Sequence, residues 1–136
     1  VETPIFASDQ HPGAVRQTME GLEGADVESL VQVKQADFFK LEPRTDGGML
    51  VFNPPYGERM DPGDVVGLYE RIGDRLKFHW SGFDAWVISS NDEALKRVGL
   101  RPHKRHPVFN GALECRWVGF SMYKGSKADQ FKSKKA

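Results

Sequence analysis

Short apolar runs alternate with amphipathic stretches along most of the chain, and the runs end in acids, amides or prolines. Pro4-Ile5-Phe6-Ala7-Ser8 is closed by Asp9, and Pro12 stands at a first helical position. Ala14, Val15, Thr18, Met19 and Leu22 then follow at amphipathic-helix spacing, and Gly24 ends the element. Leu30-Val31-Gln32-Val33 predicts a second strand, delivering Asp37 and Phe38-Phe39 to the next turn. After the polar turn from Glu42 to Gly48, Met49-Leu50-Val51-Phe52 predicts a third strand. Pro62, Val65, Val66, Leu68, Tyr69, Ile72, Leu76 and Phe78 keep a period of about 3.6 residues, with Asp61 as N-cap and Gly82 as the break. Phe83 to Ser89 predicts a fourth, buried strand, after which Ser90-Asn91-Asp92 caps a short helix from Glu93 to Val98.

The last third changes character. Arg101-Pro102-His103-Lys104-Arg105-His106-Pro107 is basic, and Leu113 to Tyr123 alternates like a terminal antiparallel strand. Lys124 onward, rich in lysine, has the composition of a solvated tail. The strand–helix alternation argues for an α/β fold of the doubly wound class: a mostly parallel sheet, helices on its faces, right-handed crossovers and one late antiparallel strand. There is no internal repeat and no interdomain linker, so one globular unit is expected.

Composition narrows the partners. The 136 residues carry 19 basic and 19 acidic side chains, so no global charge draws the chain to nucleic acid or to a membrane, and any nucleic-acid binding must rest on local patches. No apolar run reaches the roughly 20 residues needed to span a bilayer. Cys115 is the only cysteine, which excludes an internal disulfide and fits a reducing, cytoplasmic setting. It has no adjacent His or Asp to activate it and reads as a small apolar filler. His11, His79, His103 and His106 lack metal-ligand spacing, so no metal is expected.

The chemistry concentrates at Asn53-Pro54-Pro55-Tyr56-Gly57. A strand that runs into two prolines cannot continue pairing, because each Pro lacks a ladder N–H and fixes its own φ. The chain turns outward and presents an amide, carbonyls and an aromatic ring at the carboxyl end of a strand, the rim where open α/β sheets bind ligands. Asp9 and Asp37 stand at two further strand ends. From the residues alone, Asp9 reads equally as a turn acid and as a ligand, and Phe38 equally as core and as a ring that covers a ligand. Arg59 is placed either to pair with Glu58 or to reach a phosphate. Arg101, Lys104 and Arg105 suit phosphate contacts or a solvated loop alike.

In this order, Asp9, then Asp37 with Phe38, then Asn53-Pro54-Pro55-Tyr56 resemble the later motifs of class I S-adenosylmethionine-dependent methyltransferases that modify an exocyclic amine. Asn53 to Met60, with Asn110-Gly111-Ala112-Leu113-Glu114-Cys115-Arg116, is similar to the THUMP-associated RNA guanine 2-amino methyltransferases, the bacterial large-subunit rRNA enzymes especially. The likeness implies a Rossmann-like methyltransferase sheet. It makes residues 1–123 part of a catalytic domain and 124–136 a basic C-terminal tail. By position, Asp9 would accept from the cofactor's ribose hydroxyls, Asp37 from the adenine amino group, and Phe38 would cover the adenine. Asn53 and the Pro54 carbonyl would accept from the exocyclic amine of the base, Tyr56 and Pro55 would hold a base turned out of its stack, and Arg59 would lie beside it. Adenine 6-amino methylation of DNA or RNA, and a catalytically inactive RNA-binding piece, are the competing expectations.

The sequence departs from that family at its start. Enzymes of this kind begin with a strand and a glycine-rich turn holding the methionine end of the cofactor, and nothing here matches that element or the THUMP domain before it. The partners expected are therefore RNA, most simply rRNA, and the upstream part of the same enzyme. Without the first strand, the sheet is expected to have a gap at its centre, and the piece alone is expected to bind S-adenosylmethionine weakly or not at all.

Overall fold

A computed structural model describes residues 3–123, which divide into two compact units between Leu41 and Glu42. The expected tail, 124–136, lies outside the described residues. The strands form two sheets rather than one: β1 (Ile5–Asp9) pairs with β2 (Val31–Gln35), while β3 (Gly48–Phe52), β4 (Phe83–Ser89), β5 (Lys104–Asn110) and β6 (Leu113–Ser121) form a second sheet in the order β3-β4-β6-β5. β3 and β5 are the edge strands of the four-stranded sheet.

In the first unit, β1 and β2 run parallel with Ile5 opposite Val31 and Asp9 opposite Gln35. They are joined through α1 (Pro12–Gly24), whose N-cap is His11, its ring nitrogen accepting from the Gly13 amide at 3.2 Å. Pro12 and Gly24 bound this helix as the sequence requires. None of the described residues of this unit is fully buried, so two strands and one helix here enclose no core of their own, consistent with the marginal stability of isolated two-stranded pairs.

The second unit has a core. α2 (Pro62–His79) buries Val65, Tyr69, Ile72, Gly73 and Leu76, and α3 (Asp92–Lys96) adds Ala94 and Leu95. Against them lie Phe83, Ala85 and Val87 of β4 and Val118 and Phe120 of β6. Removing each Val, Leu, Ile or Phe side chain from water stabilises the fold by about 1.5–3 kcal/mol. α2 comes close enough to the chain after α3 that a Cβ at Gly73 would stand 1.7 Å from the Val98 carbonyl oxygen. Only glycine fits there.

Two expectations change. Phe78, counted on the apolar stripe, is 77% exposed: its position falls one residue off the face that Tyr69, Ile72 and Leu76 define. The single late antiparallel strand is a hairpin, since Lys104–Asn110 is also a strand, antiparallel to β6 from Lys104 opposite Gly119 to Asn110 opposite Leu113. Its cations and Pro107 disguise it. Both are tolerated because β5 is an edge strand, where a missing N–H breaks no inner ladder and charge deters further pairing.

Candidate functional site

The parallel pairing of β1 and β2 brings their carboxyl ends, and with them Asp9 and Asp37, to one end of the first unit. Asp9 Oδ1 accepts from the His11 amide at 2.8 Å, and its own carbonyl accepts from the Ala36 amide at 3.0 Å. Asp37 caps the short 3₁₀ turn Phe38–Lys40, with Oδ1 accepting from the Phe39 amide at 2.9 Å. Each carboxylate thus spends one oxygen on its own turn, and its other oxygen makes no hydrogen bond among the described residues. The turn role and a ligand role are compatible. Phe38 is half-buried and meets Phe39 edge-on at 5.4 Å.

In the second unit, β3 and β4 run parallel with Phe52 opposite Val87, so the chain leaves both strands at the same end of the sheet. Asn53 to Tyr56 follows β3, and Ser89 to Asn91 closes β4. A buried set of hydrogen bonds ties these exits together. The Tyr69 hydroxyl, on the core face of α2, donates to the Pro55 carbonyl at 2.8 Å and lies 2.7 Å from Ser89 Oγ. Ser89 Oγ accepts from the Asn91 amide at 3.1 Å, and Asn91 Nδ2 donates to the Tyr56 carbonyl at 2.9 Å. Asn91 Oδ1 meanwhile caps α3 by accepting from the Ala94 amide at 3.0 Å. The carbonyls of Pro55 and Tyr56 are therefore held from behind, while that of Pro54 makes no hydrogen bond among the described residues.

The Tyr56 ring is half-buried, and its hydroxyl accepts from Asn110 Nδ2 at 3.3 Å, at the turn of the β5–β6 hairpin. Burial pushes its pKa up, and the Cys115 thiol adds to the rise, whereas the Asn110 and Asn53 side chains oppose it by hydrogen bonding. The phenol stays neutral at physiological pH. Tyr69 is shifted the same way by its own burial, with Ser89 opposing. Gly57 leaves the loop at φ 92°, a backbone conformation that favours glycine, and a Cβ there would stand 3.0 Å from the Val65 side chain, tighter than ordinary contact. Asn53 and Pro55 are exposed. Arg59 and Glu58 make no ion pair among the described residues, which removes the pairing alternative for Arg59.

Tyr69, Ser89, Asn91 and Asn110 hold the loop, and none was singled out from the sequence for that work. A tyrosine on an apolar stripe carries a signal nonetheless, since a buried phenol needs a hydrogen-bond partner, and a serine ending a buried strand is a natural one. Cys115 is a buried free thiol. Among the described residues no group of three His, Cys, Asp or Glu is placed to hold a metal, and no helix is long and apolar enough to cross a membrane.

Residues 1–119 match the UPF0020 family, RMKL-like, methyltransferase domain. The chain is 36% identical over 123 residues to the ribosomal RNA large subunit methyltransferase K/L of Syntrophotalea carbinolica, covering 87% of this chain and 17% of that protein. It is likewise 36% identical to the protein of the same name from Pseudomonas aeruginosa, covering 82% of this chain and 16% of that one. The chain thus spans about one sixth of the length of these relatives. Among solved structures, SMU.472 complexed with SAH superposes with a TM-score of 0.80 at 22% identity, over 90% of this chain and 32% of that one, a likeness of fold.

Proposed function

This chain belongs to the RMKL-like methyltransferase domain family, and on that premise we propose that it is part of the catalytic domain of an S-adenosylmethionine-dependent RNA methyltransferase acting on an exocyclic amino group, guanine 2-amino in large-subunit rRNA. Residues 1–123 are the catalytic part in this reading, and 124–136 a basic extension. The names of the relatives support RNA as substrate, and their length, of which this chain spans about one sixth, supports further parts of the same enzyme as partners.

The residues present suit one end of the cofactor. Asp9 and Asp37, each with a carboxylate oxygen uncommitted, would hold ribose hydroxyls and the adenine amino group, with Phe38 against the ring. When bound, S-adenosylmethionine supplies an electrophilic methyl on a sulfonium. The work of this chain is to hold the acceptor. Asn53 and the Pro54 carbonyl accept hydrogen bonds from the amino group, which draws its lone pair out of conjugation with the ring and directs it outward. Tyr56 stacks on the displaced base, Pro55 supports it, and Arg59 contacts neighbouring phosphate. Catalysis is then chiefly positioning, and the neutral Tyr56 takes no proton.

The observation that carries this reading is the loop's selective restraint. Protein donors occupy the Pro55 and Tyr56 carbonyls and leave that of Pro54 available. The test is to incubate the full-length protein with rRNA transcripts and labelled cofactor, digest the RNA to nucleosides and identify the product. N2-methylguanosine is expected. N6-methyladenosine alone would replace guanine by adenine, and no methylated nucleoside would leave the inactive RNA-binding reading.

A further inference from the structure

From Ala94 to Tyr123 the chain has one acid, Glu114, against six Lys and Arg. Lys96, Arg97 and Arg116 are in ion pairs with Glu93, Glu70 and Glu114. Arg101, Lys104 and Arg105 are exposed and make no ion pair among the described residues. All three lie on or just before β5, the edge of the four-stranded sheet. In a chain of zero net charge, this is a local excess of uncompensated cations on a fixed element.

The element is rigid at both ends. Near Lys104, the His103 amide donates to the Gly119 carbonyl at 2.9 Å. Trp86 stacks on Trp117 at 5.5 Å and on His106 at 6.4 Å, and meets His103 edge-on at 5.5 Å. At the other end, Asn110 binds the Tyr56 hydroxyl, so the hairpin and the acceptor loop form one connected surface within this unit. Phe109, beside that bond, is 69% exposed. The distance from Asn110 to Lys104 along an extended strand is about 20 Å, the reach of a few nucleotides.

We propose that the β5 edge is a track for single-stranded RNA leading away from the target base: Phe109 stacks on a base flanking the target, and Arg101, Lys104 and Arg105 neutralise phosphates further along. The inference rests on the methyl-transfer reading for its direction, since Tyr56 marks where the target base lies. Lys104 and Arg105 alternate across the strand, which suits a backbone lying along the edge better than one lying on either face. A second copy paired along β5 is the competing occupant, and it is disfavoured by like charge and by the missing N–H of Pro107.

The test uses the full-length protein, an end-labelled short mixed-sequence single-stranded RNA, and the variants R101A/K104A/R105A and F109A. Removing three phosphate contacts on single-stranded RNA lowers the slope of log Kd against log salt by about 2, so between 50 and 200 mM salt the native protein should lose about sixteen-fold more affinity than the triple variant. F109A should weaken binding about fivefold or more with the slope kept. An unchanged slope in the triple variant, while the native protein still methylates RNA, overturns the track and leaves methyl transfer standing. A reduced slope in a protein that methylates no RNA supports the track and removes the methyl-transfer reading. A dimer in sedimentation that the triple variant abolishes, with RNA binding unchanged, assigns the edge to a second copy and overturns the proposal.

Discussion

Replacing Tyr69 by Phe keeps the ring that fills the core of the second unit and deletes one oxygen. That oxygen donates to the Pro55 carbonyl at 2.8 Å and lies 2.7 Å from Ser89 Oγ. Its single proton goes to Pro55, so Ser89 donates to it; Ser89 Oγ still accepts from the Asn91 amide, but its buried O–H loses its acceptor just as the Pro55 carbonyl loses its donor. An unmade hydrogen bond at a buried group costs about 1–3 kcal/mol. Because Pro55 faces solvent, which replaces part of its bond, most of the loss falls on the buried Ser89 hydroxyl, about 1–2 kcal/mol in all. For a chain of this size that lowers Tm by roughly 3–10 °C. The same energy lost from the positioning of the acceptor loop lowers kcat about five- to thirty-fold, with KM for RNA nearly unchanged because the exposed contacts remain. Thermal unfolding of the chain and single-turnover methyl transfer by the full-length Tyr69→Phe enzyme measure the two effects. A variant that loses stability yet keeps its native rate refutes the idea that this network positions the acceptor, and leaves it only structural. A double-mutant cycle with Ser89→Ala adds a check: coupled side chains give a non-additive pair of losses.

Asp9→Asn keeps an acceptor for the His11 amide but removes the charge, so the turn should survive while cofactor affinity falls about ten- to a hundredfold; calorimetry on the full-length protein measures it, and unchanged affinity refutes the ribose role. Tyr56 and Tyr69 both have pKa values raised on folding, so the unfolded phenols, near pH 10, lose their protons first. Their stabilisation is complete below about pH 10 and is lost as pH rises through the folded values; urea titrations should show a steeper alkaline fall for the native chain than for Tyr69→Phe, and equal slopes contradict it. Gly73→Ala, whose Cβ would meet the Val98 backbone at 1.7 Å, should destabilise by about 1–3 kcal/mol or more, whereas Gly67→Ala in the same helix has open space and should stabilise by up to about 1 kcal/mol. Denaturant midpoints of the two variants should move in opposite directions, and movement in the same direction refutes the packing argument.

The strands and helices were legible because most were marked at both ends: Pro12 and Gly24 for α1, Asp61 and Gly82 around α2, and the unbroken apolar run of β4. The hairpin strand β5 was not, because an edge strand needs no apolar alternation and its cations dominate the pattern. The acceptor loop was visible as a strand that stops in two prolines. Its supports were not, because Tyr69 shows its ring to the periodicity and hides its hydroxyl, and because Ser89 and Asn91 meet it only through the parallel register of β3 and β4. Asp9 illustrates the converse: the sequence offered a turn role or a ligand role, and the geometry of its carboxylate accommodates both.

The most direct test of the account is Asn53→Ala in the full-length enzyme, assayed in parallel for methyl transfer to RNA and for S-adenosylmethionine binding by calorimetry. If the loop holds the amino group of the base, turnover is abolished while cofactor affinity stays near native. Loss of cofactor binding in that variant, or retained turnover, contradicts the assignment of Asn53 to the acceptor.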